Sequence, residues 1–130
     1  MTNYRKNREN LHLLFVEDDE PTRQLLQVTA LSAKRDCKVL LANTGKEGIR
    51  KHFDVCPDIT FLDIQLPDGT GLDMLKFIKQ KDPEAYVIML SANATGTNVK
   101  KALEQGAKGF VAKPFTKKKL QEVLEKHARS

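Results

Sequence analysis

The chain has 130 residues, 40% hydrophobic and 30% charged, the size and balance of one globular domain with a single core. No apolar run approaches the ~20 residues of a bilayer-spanning helix, and two cysteines, Cys37 and Cys56, are too few for a disulfide scaffold or zinc site and read as reduced thiols. A net charge of +5 permits a nucleic-acid partner without requiring one.

Residues 1–10 are basic and polar, without the apolar centre of a signal peptide. They read as a flexible lead-in to one domain over residues 11–130. Strand-length apolar runs then alternate with stretches of helical period. The first run, residues 11–16, leads to a helix with cap candidates Asp19 and Glu20 and a first-turn proline, Pro21. The second, residues 39–42, precedes the capping-box pattern Thr44 and Glu47. Runs at residues 59–62, 86–90 and 109–112 follow, each with its own helix. In the fourth helix Val99, Ala102 and Leu103 share a face and Gly106 supplies the stop. In the last, Leu120, Val123, Leu124 and Ala128 form an apolar stripe after the cap candidate Thr116. Most of the runs are continuous in apolar residues, as strands of a parallel sheet covered on both faces should be. Successive β-α units of this kind predict a doubly wound α/β fold with a five-stranded parallel sheet and five helices. Its ligands should bind beyond the carboxyl ends of the strands.

At those ends the residues change character. The first strand runs into Glu17-Asp18-Asp19-Glu20, the third ends on Asp63, the fourth on Ser91 and the fifth on Lys113-Pro114. Singly, each is an ordinary loop residue. Together they deliver carboxylates, a hydroxyl and an ammonium to one edge of the sheet. Clustered carboxylates repel one another unless a cation is present, so a hard divalent metal is the expected partner. One carboxylate can then attack a phosphoryl group whose oxygens the hydroxyl and lysine hold.

These segments resemble the receiver domains of two-component response regulators. Residues 13–23, from Leu13 through Glu17-Asp18-Asp19 to Arg23, are similar to the family's opening. Phe61-Leu62-Asp63-Ile64-Gln65-Leu66-Pro67-Asp68-Gly69-Thr70-Gly71 resembles the phosphorylation segment, with a glycine eight residues after the aspartate. Met89-Leu90-Ser91-Ala92 matches the hydroxyl motif, and residues 106–115, ending Lys113-Pro114-Phe115, the lysine motif. The match runs from about residue 11 to 128 and most resembles single-domain, chemotaxis-regulator-like receivers.

The resemblance implies a flavodoxin-like strand order 2-1-3-4-5 and Mg2+ as cofactor. Asp63 becomes the phosphoacceptor and a metal ligand, Asp18 a direct ligand, and Glu17 one acting through water. Gln65 contributes its backbone carbonyl to the metal. Ser91 hydrogen-bonds the phosphoryl group, Lys113 pairs with it, and Pro114 follows a cis peptide bond. Ser91 and Phe110 form the switch, Phe110 turning inward as Ser91 moves. Implied partners are a histidine kinase or phosphotransfer protein, a downstream protein or an effector domain elsewhere in a longer chain, and a phosphorylation-dependent dimer. Direct nucleic-acid or membrane binding is not expected, and the implied location is cytoplasmic. The domain acts as a switch that promotes its own phosphorylation and dephosphorylation rather than as an enzyme.

Four positions depart from the commonest pattern: Glu17 for Asp, Ser91 for Thr, Phe110 for Tyr, and Thr70 for Asp or Asn. None removes a catalytic group. Gln65 and Asn93 stand where the family tunes phosphoryl lifetime. An aspartate-nucleophile phosphatase would need a second Asp where Gln65 stands. A flavin carrier would need a phosphate loop where four acids stand. A receiver that no longer takes phosphate would lack a required group, and all are present. His12, His52 and His127 show no ligand spacing, Met74 and Met89 fit the core, and Tyr86 is expected partly exposed at a strand start. Lys117, Lys118 and Lys119 place three cations in the first turn of the last helix, against its dipole. They are expected to form a basic rim that steers an acidic phosphodonor. A stand-alone regulator and a piece of a larger one are both open, as are the kinase, the input signal, the output and the oligomeric state.

Overall fold

A computed structural model describes residues 10–32 and 36–129. The expected lead-in lies, Asn10 aside, outside the described residues. The elements in order are β1 (Leu11–Val16), α1 (Glu20–Leu31), β2 (Cys37–Ala42), α2 (Gly45–Val55), β3 (Ile59–Asp63), β4 (Gln65–Leu66), β5 (Gly69–Thr70), α3 (Gly71–Lys81), β6 (Val87–Ser91), α4 (Gly96–Glu104), β7 (Gly109–Ala112) and α5 (Lys117–Ala128). Five strands form one parallel sheet in the order β2-β1-β3-β6-β7. Counted along the five long strands, that is 2-1-3-4-5. The pair β4-β5 is a separate antiparallel hairpin that the sequence reading did not anticipate.

The apolar runs explain the sheet. β3 and β6 are buried throughout, because helices cover both faces of the central strands. On one face Leu13, Phe15, Ile59, Phe61, Ile88 and Leu90 pack with Leu26 and Ala30 of α1 and Leu120 and Leu124 of α5. There Phe15 and Phe61 stack with centroids 4.6 Å apart, and Phe115 meets both edge-on. On the other face Leu14, Val16, Leu62, Val87 and Met89 meet Leu75 and Ile78 of α3 and Ala102 of α4. Val16 is packed so closely that a Cβ on Gly48 would come within 2.6 Å of it.

Helix starts follow the caps. Asp19 caps α1 by accepting from the Thr22 N–H at 3.1 Å. Thr44 caps α2 through the Glu47 N–H, but Glu47 turns to Asn43 and Lys51 rather than closing the box on Thr44. Gly106, with φ of 100°, ends α4, where the Ala107 N–H reaches the Ala102 carbonyl.

Three expectations are corrected. β2 starts two residues early because Cys37 and Lys38 pair with Leu11 and His12. Tyr86 precedes β6 and is buried, its ring edge-on to His127 at 4.8 Å. Leu103 is half exposed and Ala128 exposed. α4 is held chiefly by Ala102, and the final turn of α5 presents His127 inward instead. Among the described residues no helix is long and apolar enough to cross a membrane.

Candidate functional site

Parallel pairing sets the ends of β1, β3 and β6 and the start of the β7–α5 loop side by side. Glu17, just past β1, is fully buried, Asp63 closes β3 almost as deeply, and Asp18 stands exposed at the mouth. One carboxylate oxygen from each of the three lies within 4.8 Å of the others. Lys113 reaches across from the fifth strand of the sheet, its Nζ ion-paired with Glu17 and 2.9 Å from Asp63 Oδ2. The Gln65 N–H donates to Asp63 Oδ1 at 3.3 Å, and the Asp19 N–H to Glu17 Oε2 at 3.3 Å. Both acids are thus oriented by backbone as well as by the lysine.

Charge counting defines the pocket. Two buried carboxylates share one ammonium, which leaves a surplus negative charge before the exposed Asp18 is added. Burial, reinforced by Asp63, pushes Glu17 up to about 7, and Lys113 offsets this only in part. Lys113 moves the other way. Burial alone pulls an ammonium down, but its bonds to Glu17 and Asp63 outweigh burial and hold it above its ordinary value. An all-oxygen donor set with uncompensated negative charge fits a hard divalent cation such as Mg2+.

Other groups complete the edge. Ser91, buried at the end of β6, accepts the Asn93 N–H on its Oγ at 2.9 Å, which leaves its own O–H to donate. The Ser91 carbonyl accepts the Lys113 N–H at 2.9 Å. Met89 pairs with Phe110 and Ser91 with Ala112, so Ser91 and Phe110 project on the same face, one pleat apart. Phe110 is half-buried and lines a groove of about 400 Å³ with Tyr86, Ile88, Val111 and Val123. The Lys113–Pro114 peptide bond is cis. Gly71 is required where it stands: a Cβ there would lie 2.0 Å from the Asp63 carbonyl oxygen, and its N–H bonds the Ile64 carbonyl.

Sequence reasoning gathered Glu17, Asp18, Asp63, Ser91 and Lys113, all of which the fold brings to one edge. It missed the braces around them. Arg23 Nη1 donates to the carbonyls of Glu17 and Asp18 at 3.0 and 2.7 Å. Asp68 accepts the Gly45 and Lys46 N–H groups at 2.8 and 2.9 Å, tying the loop after β3 to the start of α2. Those backbone donors, Lys46 first, hold the Asp68 carboxyl below its usual range. It also missed His52, bonded to Thr60 Oγ1 at 2.8 Å and Asp82 Oδ2 at 3.0 Å, all three buried.

By class the chain is a doubly wound α/β domain that gathers an acid pocket, a hydroxyl and a lysine at the carboxyl edge of its sheet. The chain belongs to the response regulator receiver domain family, whose model matches residues 13–125. It is 39% identical over 119 residues to the chemotaxis protein CheY of Listeria monocytogenes, covering 92% of this chain and 99% of that one. It is 34% identical over 115 residues to the response regulator protein PilR of Pseudomonas aeruginosa, covering 85% of this chain and 24% of that protein. Among solved structures, the N-terminal domain of an uncharacterized protein from Wolinella succinogenes is 34% identical, with a TM-score of 0.80 over 92% of this chain and 94% of that one. The chain is therefore a receiver domain of two-component signalling.

Proposed function

We propose that the chain is a phosphorylatable switch whose Asp63 takes a phosphoryl group from a histidine kinase or phosphotransfer protein. An Asp63 carboxylate oxygen attacks the phosphorus of a phosphohistidine, the P–N bond breaks, and the released imidazole takes up a proton. The observation that carries this reading is Lys113 shared between Glu17 and Asp63 in a buried, net-negative pocket. Glu17, Asp18, Asp63 and the Gln65 carbonyl are the groups that would hold Mg2+, Glu17 through water. When bound, the ion neutralises charge on the transferring phosphoryl oxygens. Lys113 then turns from the acids to one phosphoryl oxygen, and the Ser91 O–H donates to another.

The movement of Ser91 is read out by Phe110. Their shared face of the sheet, on which Phe110 packs beside Met89, supports a direct steric link, and the space that Ser91 leaves would take the ring. The surface around α4, β7 and α5 is where a downstream partner or a second phosphorylated copy would sense the change. The donor would dock along α1, which starts at the pocket edge with Glu20 and exposes Leu25, Val28 and Leu31 along its length. The domain acts on its own phosphoryl group and turns over no separate substrate.

Incubation with a small phosphodonor, with Mg2+ and with EDTA, tests this. Wild type should gain one phosphoryl group only with Mg2+, and Asp63→Asn should gain none. Equal labelling of Asp63→Asn would refute the assignment.

A further inference from the structure

We propose that Lys119 is a positioning residue for Lys113, an inference that rests on the phosphorylation reading above. Of the three lysines that open α5, Lys117 and Lys118 are exposed, whereas Lys119 is half-buried and folds back on the sheet. Its Nζ donates to the Ala112 carbonyl at 3.0 Å and the Pro114 carbonyl at 3.2 Å. These are the carbonyls of the two residues that flank Lys113. The Lys113 N–H is bound to the Ser91 carbonyl at 2.9 Å. The chain at Lys113 is therefore held through the carbonyls of the residues on either side of it and, through its own N–H, from β6.

That arrangement has a physical use. Lys113 is a long side chain that must keep its ammonium between two carboxylates, and it follows an edge strand, β7, beside which no further strand lies among the described residues. Ordering a lysine costs rotamer entropy, and anchoring its backbone lets the head group search a smaller volume. A cation in the first turn of a helix is unfavourable against the dipole. Two carbonyl acceptors at the end of β7 supply a local reason for it to stay. The opposite side of the pocket uses the same device: Arg23 of α1 holds the Glu17 and Asp18 carbonyls. Each partner of the Glu17–Lys113 ion pair is thus gripped through its backbone by a cation of the helix that follows it.

The test is a cycle of Lys119→Met, Lys119→Arg and Lys118→Met, with Lys119→Met repeated in a Lys113→Ala background. Each variant is labelled by a small phosphodonor at saturating Mg2+. Lys119→Met should slow labelling about tenfold, the scale on which slight misplacement of a reacting group is felt, while Lys118→Met leaves the rate unchanged. Lys119→Arg, which can still donate to both carbonyls, should restore it to within about twofold. In the Lys113→Ala background Lys119→Met should add nothing, because the two residues act as one unit. Wild-type rates in Lys119→Met, or an equal slowing without Lys113, would overturn the proposal. Failure of wild type to label at all would sink the phosphorylation reading. The positioning claim is still read by hydrogen exchange of the Lys113 amide. That exchange should quicken in Lys119→Met relative to Lys118→Met while the β1 and β3 amides are unchanged, and no change at Lys113 would refute it.

Discussion

Glu17→Gln should stabilise the metal-free protein at alkaline pH and not at acid pH. The amide that replaces the carboxylate keeps an oxygen that can accept from Lys113 but removes one of the two buried negative charges that share it. In wild type Glu17 is raised from 4.5 to about 7, by burial first and then by Asp63. A raised acid binds its proton more tightly in the folded state than in the unfolded one. Its ionisation therefore leaves stability untouched below about pH 4.5 and erodes it as pH rises through about 7, after which the loss is complete. At about 1.36 kcal/mol per unit, water reaching the pocket mouth reduces the effect to the order of 1–2 kcal/mol. For a domain of this size that is roughly 3–8 °C in Tm. The assay is thermal melting in EDTA from pH 5 to pH 8, for wild type and Glu17→Gln, repeated with Mg2+. Wild type should lose stability across that window, the variant should lose less and cross above it near pH 8, and Mg2+ should raise wild type more than the variant. A wild-type Tm that rises with pH in EDTA, or a variant less stable at pH 8, would refute the argument from surplus charge.

Other outcomes follow from single contacts. Gly71→Ala drives a Cβ to 2.0 Å from the Asp63 carbonyl oxygen, so it should cost about 1–3 kcal/mol or more in melts and slow labelling of Asp63. His52→Leu takes the imidazole from between Thr60 and the buried Asp82; denaturant melts should show a loss of about 2–4 kcal/mol with Mg2+ affinity by titration little changed. Lys117→Glu with Lys118→Glu, both exposed, should slow phosphoryl transfer from the cognate kinase and flatten its salt dependence. Labelling by a small donor should stay within about twofold, since long-range steering acts mainly on a charged partner.

The strands were legible because the sheet is covered on both faces, so its residues read as nearly continuous apolar runs, broken only singly, as by His12 and Thr60. The pocket was legible because the topology delivers every strand end to one edge, and unusual residues at each end stood out together. What escaped has physical causes. Cys37 and Lys38 carry no apolar signal, and only pairing with Leu11 and His12 makes them strand. The hairpin of β4 and β5 has two residues per strand, too few for any period to register. His52 finds Thr60 eight residues away and Asp82 thirty away, contacts that no local spacing encodes. Lys119 was visible as an anomaly against the helix dipole, but its grouping with Lys117 and Lys118 hid that it bonds backward to the sheet. The expected basic rim would consequently consist of two exposed lysines, Lys117 and Lys118, rather than three.

The most direct measurement locates the covalent bond itself. An aspartyl phosphate is an acyl phosphate, and borohydride reduces it to homoserine, which marks the modified position for peptide sequencing. After labelling with a phosphodonor and Mg2+, homoserine should appear at position 63, at no other aspartate, and not in protein labelled in EDTA. Homoserine at Asp18 or Asp19, or phosphoryl incorporation with no homoserine at position 63, would contradict the assignment of Asp63 as the phosphoacceptor.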